Sequence, residues 1–147
     1  MSFKTKKFVG CRGYSNTATS VPSSTWTPIE YGATAYDTVG NIHSNVTNNS
    51  RFTIPFNGHW YCCGMLRWPD SSGGTKRIGL RVNGTTFYGI QSNRVGDAVN
   101  QYLTVGGTIL MNAGDYVELV GWQNSGGSVS TVSGESNTVV ALLATTV

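Results

Sequence analysis

The side chains of this 147-residue chain best suited to chemistry are two histidines, three cysteines and seven acidic residues. A hydrolase needs a nucleophile beside a base, and His43 and His59 are the only histidines to serve as that base. His43 lies in a polar stretch and His59 directly follows the Asn57-Gly58 turn, so neither sits in a catalytic context. The acids are scattered, and no pair has the surroundings of a glycosidase acid and base. Asp37 and Asp115 each bring one carboxylate to a loop, far short of the roughly six to eight oxygens that calcium takes. Turn stabilisation is the expected role of both.

Cys11, Cys62 and Cys63 are odd in number and two are adjacent, which suits neither a disulfide framework nor a zinc site. The glycine pairs Gly73-Gly74, Gly106-Gly107 and Gly126-Gly127 lack the Lys-Ser/Thr partner and following helix of a phosphate cradle. The residues therefore predict a protein that is not an enzyme, with no cofactor and no metal. Four Trp, seven Tyr and five Phe invite a sugar-binding reading, because flat rings stack on pyranoses. Trp60, Trp68 and Phe52 lie among apolar neighbours, which favours a core or an interface, whereas Tyr88, Tyr102 and Trp122 have strand phases that could face outward.

The elements that must position these residues are strands. Charged residues are 12% of the chain, and Gly, Ser, Thr and Asn replace the strong helix formers. No apolar 3.6-residue period runs long enough for a helix, and short apolar runs alternate with turn clusters throughout. The pattern predicts a first strand over 8–14 and an extended segment around Trp26, Ile29 and Tyr31. An irregular connection is expected over 32–49, and strands over 51–55 and 59–68. Asn83-Gly84 is a hairpin turn between the strand of Ile78, Leu80 and Val82 and its return over 85–90. Strands over 102–111, 116–123 and 138–144 complete about ten antiparallel strands. The strands over 59–68 and 138–144 are apolar on both faces, which calls for a cover beyond the core.

Net charge is +3, and Lys4, Lys6 and Lys7 account for it, leaving a neutral body. The expected organisation is a basic arm over 1–7, able to dock on an acidic partner, followed by one domain over 8–147. A neutral body argues against nucleic acid as the main partner. No apolar stretch approaches a membrane span, and no signal peptide is visible after the basic start, so synthesis in a cytoplasm is expected.

Arg51-Phe52-Thr53, followed by Pro55, Gly58 and Trp60-Tyr61, resembles the globular head of complement, which shares the tumour-necrosis-factor jelly roll. Ala113-Gly114-Asp115-Tyr116-Val117-Glu118-Leu119 is similar to that family's Gly-Asp-x-Val-x-Leu, and Tyr36-Asp37-Thr38 to its aromatic–Asp pair. The resemblance spans 9–145. It implies an all-β jelly-roll sandwich forming a tight homotrimer, with Trp60, Trp68, Tyr102 and Trp122 as interface candidates and no catalytic residue. The segments Thr25-Trp26-Thr27 and 77–85 look more like the free-standing heads of bacteriophage structural proteins. On that analogy the chain is a virion-surface protein that decorates a capsid or caps a fibre. The arm Lys4, Lys6 and Lys7 would then touch other virion proteins such as the capsid shell. The alternative is a receptor-binding or lectin-like head that recognises a host-surface glycan or protein.

Overall fold

A computed structural model describes residues 7–69, 73–94 and 101–145. Ten strands make two facing five-stranded sheets. In the first sheet the order is β4-β1-β12-β6-β9, built from β1 (Gly10–Tyr14), β4 (Ala33–Asp37), β6 (Gly58–Trp68), β9 (Gln101–Met111) and β12 (Asn137–Thr145). In the second, β3 (Thr27–Pro28), β10 (Tyr116–Gln123), β7 (Thr75–Val82) and β8 (Thr86–Arg94) lie in that order, and β5 (Arg51–Thr53) also pairs with β10. A two-stranded ribbon joins β2 (Ser20–Val21) to β11 (Val129–Ser130). All the strand pairings are antiparallel, as a jelly-roll sandwich requires.

The two-residue alternation of β6 sets the core. Trp60, Cys62, Leu66 and Trp68 point inward and are fully buried, while His59, Tyr61, Cys63 and Met65 point away from the second sheet. Gly64 falls on the inner face because Leu119 of β10 fills its space: a Cβ there would come within 2.5 Å of the Leu119 side chain. Ile78, Leu80, Val117 and Leu119 supply the facing layer. Tyr31, also fully buried, places its hydroxyl 2.6 Å from Thr138 Oγ1 of β12, so the one polar atom of that ring is satisfied inside the core.

The sequence pattern needs two corrections. The stretch 32–49 is not wholly irregular, because Ala33–Asp37 forms β4 at the edge of the first sheet. The return strand of the Asn83-Gly84 hairpin does not stop at Ile90 but continues to Arg94 along the edge of the second sheet. Lys4 and Lys6 of the basic arm lie outside the described residues, whereas Lys7 is exposed.

Candidate recognition surfaces

His43 is placed for structure, and His59 is exposed on the outward side of β6. His43 stacks on Phe52 with ring centroids 4.8 Å apart; its Nε2–H donates to the Asn49 carbonyl at 3.0 Å, and its Nδ1 lies 2.7 Å from Thr34 Oγ1. The ring thus ties the loop after β4 to β4 and β5, and among the described residues no carboxylate is hydrogen-bonded to either nitrogen. Asp37 accepts four backbone N–H groups, from Val39, Gly40, Ile42 and His43, at 2.7–3.1 Å, which is the turn-holding role expected of it. Asp115 does the same at its turn by accepting from the Asn112 N–H at 2.8 Å, and it also accepts from the Asn83 carboxamide. Among the described residues no three His, Cys, Asp or Glu come together as a metal site.

Burial pushes the thiols of Cys11 and Cys62 up to about 12, Cys11 with a further contribution from the nearby Asp37 carboxylate and Cys62 from Cys63. Both behave as small apolar core residues.

The outward face of the first sheet is different in kind. Tyr14, Tyr36, Tyr61, Tyr102, Leu110 and Leu143 lie on it with 38–60% of their surface exposed. Register sets them among polar neighbours: Tyr61 is opposite Ala141 on β12 and Thr108 on β9, Leu110 is opposite His59, and Tyr36 is opposite Arg12. A hydrogen bond with Cys63 raises the Tyr61 phenol above its usual value. At one corner, Arg67 Nη1 pairs with Glu135 Oε2 at 2.6 Å, and the Tyr102 hydroxyl donates to the same oxygen at 2.5 Å. Those two bonds, Tyr102 first, hold the Glu135 carboxyl below the usual range. At the edge where β8 meets β9, Tyr88 is exposed beside Gly106 and Gly107, and Ile90 is exposed opposite Gly79 beyond a bulge in β8.

The outward face of the second sheet carries rings and guanidiniums. Ser24 adopts φ 59°, and its N–H donates to the Gln123 carbonyl at 2.6 Å, turning the chain so that Trp26 meets Trp122 of β10. Trp26 packs on Phe87 with centroids 5.0 Å apart and on Trp122 at 6.3 Å, and the Arg77 guanidinium lies 4.5 Å above the Trp122 ring. Glu118, almost fully buried, accepts from Ser50 Oγ at 2.8 Å and Arg81 at 3.1 Å and pairs with Arg51 at 3.5 Å. Arg51 in turn lies 4.2 Å above the Tyr116 ring.

The four interface candidates are not brought together. Trp60 and Trp68 are sealed inside the protomer, on the inner side of β6, and offer no surface to a neighbour. Tyr102 is on the outward face of the first sheet and Trp122 on that of the second, so the sandwich separates them. Exposed apolar residues of the first sheet that were not among the candidates include Tyr61, Leu110 and Leu143, whose signal was the second apolar phase of their own strands.

No protein-family model matches the chain, and no curated protein matches its sequence. Solved structures do match. The chain is similar to the Eiger TNF of S. frugiperda at 15% identity and TM-score 0.72, over 97% of this chain and 96% of that one. It is similar to the globular domain of the zebrafish complement 1qA protein at 12% identity and TM-score 0.66, over 94% and 99% of the two chains. It is also similar to murine APRIL at 8% identity and TM-score 0.73, over 93% and 100%. These likenesses establish the fold as a jelly roll of the tumour-necrosis-factor and complement-head kind. They overturn the expectation of a bacteriophage virion protein that decorates a capsid or caps a tail fibre, because the matching folds are those of a TNF, a complement head and APRIL.

Proposed function

We propose that this domain is the head of a homotrimeric recognition module, which binds a partner protein or glycan and catalyses nothing. The observation that carries the reading is the apolar outward face of the first sheet. A half-exposed antiparallel sheet ordinarily turns a polar face outward, whereas here Tyr14, Tyr36, Tyr61, Tyr102, Leu110 and Leu143 are all exposed on one outward face, interspersed with polar residues. Threefold closure joins one patch to a different patch on the neighbour. Two patches among the described residues fit such a contact: the face around Tyr61 and Leu143, and the β8–β9 edge at Tyr88, Gly106 and Gly107. A second copy, edge against face, covers both and leaves the second sheet and the loops free for a partner. The shared fold with a TNF and a complement head supports the same arrangement.

Sedimentation velocity tests it. The expected species at micromolar concentration has three times the 15.7 kDa chain mass, and Tyr61→Glu, which sets three charges against apolar surface, returns it to the monomer. A wild-type chain that sediments as a monomer overturns the proposal.

A further inference from the structure

The ring cluster on the second sheet has a role that neither the core nor a trimer requires. Trp26, Phe87 and Trp122 lie on the side of β7, β8 and β10 that faces away from the first sheet. The hydrophobic core, with Ile78, Leu80 and Leu119, is on the other side. The three rings are half-buried, so each keeps surface in contact with water. Gly79 helps to seat them: a Cβ at that position would come within 3.0 Å of the Phe87 ring, and its absence lets Phe87 settle on the sheet.

Charge gives the cluster its second property. Among the described side chains three guanidiniums stand on this face, and two of them, Arg51 and Arg81, are matched by the buried Glu118. Arg77 is exposed, lies over Trp122 and has no carboxylate within ion-pair distance among the described residues. Contact with the Trp122 ring anchors the guanidinium on this face, and a guanidinium fork fits a carboxylate with two parallel hydrogen bonds. Flat rings beside it offer apolar surface to the C–H face of a pyranose.

We propose that Trp26, Phe87, Trp122 and Arg77 form a binding site for a carboxylated pyranose, with the sugar ring on the indoles and its carboxylate on Arg77. This inference deepens the recognition reading by naming its ligand class, and it rests on that reading. Two natural chemistries share the required group, a sialic acid and a hexuronic acid, and they are separated by the probes.

The test is titration of the full chain with sialyllactose, with a glucuronate-terminated disaccharide and with lactose, followed by tryptophan fluorescence and calorimetry. The expected result is that at least one acidic sugar binds and lactose binds at least tenfold more weakly. Arg77→Ala should weaken the acidic sugar at least tenfold, and Trp26→Leu, which keeps apolar packing, should also weaken it. Equal binding of lactose overturns the role of the carboxylate, and binding unchanged in Arg77→Ala overturns the site. Failure of all three sugars overturns the proposal and leaves the face to a protein partner. Sedimentation of the same samples reports the trimer separately, so loss of one proposal is not mistaken for loss of the other.

Discussion

At the scale of single residues, burial decides what each reactive group does. Cys62 has the chemistry of a nucleophile but sits between Trp60 and Gly64 on the closed side of β6, where ionisation would place a charge in the core. The consequence is a dependence of stability on pH. In the unfolded chain Cys11 and Cys62 ionise near the ordinary value of 9.0, whereas the folded chain holds both as neutral thiols up to about 12. Above pH 9 the folded state therefore binds more protons than the unfolded state. The contribution of the two thiols is complete below 9 and is lost as pH rises toward 12. Denaturant titrations at pH 8, 9.5 and 11 should show stability falling with pH. In a Cys11→Ala/Cys62→Ala variant the fall should be shallower, and parallel slopes for the two proteins would refute the account.

At the scale of elements, two-residue alternation made the long strands legible and left the edges obscure. In β6 the pattern separated Trp60, Cys62, Leu66 and Trp68 from Tyr61, Cys63 and Met65, and the structure divides them in the same way. What alternation could not say is which of two apolar faces meets the core. Trp60 and Trp68, candidates for a subunit contact on the sequence, are on the core side. β4 escaped notice because an edge strand such as Ala33–Asp37 contacts few neighbours and carries no apolar phase, and the polar end of β8 was lost for the same reason. Trp26 was unplaceable in advance, since its position depends on the left-handed turn at Ser24 and on a partner 96 positions away in the chain, Trp122. Glu118 was equally hidden: its buried carboxylate joins β5, β7 and β10 through Arg51, Arg81 and Ser50. Removing it strands the part-buried Arg81, so Glu118→Ala should cost about 3 kcal/mol. The loss should be read by chemical denaturation, and one below about 1 kcal/mol, the scale of an exposed pair, would show the cluster to be solvated.

At the scale of the whole molecule, the sandwich divides its two outer surfaces by character. The first sheet turns out an apolar, tyrosine-rich face, which suits another copy of itself. The second turns out rings with a guanidinium among them, which suits a ligand of opposite charge. β1 and β12 are antiparallel neighbours, with Gly10 opposite Ala141, so the start of one strand and the end of the other lie at the same end of the sandwich. That layout fixes the mechanics of the domain. A pull applied across those two ends loads the β1–β12 ladder one bonded pair at a time, like a zipper, and never shears all five pairs at once. Even a thermodynamically firm sandwich of this layout yields at the β1–β12 seam when tension is applied across those two ends.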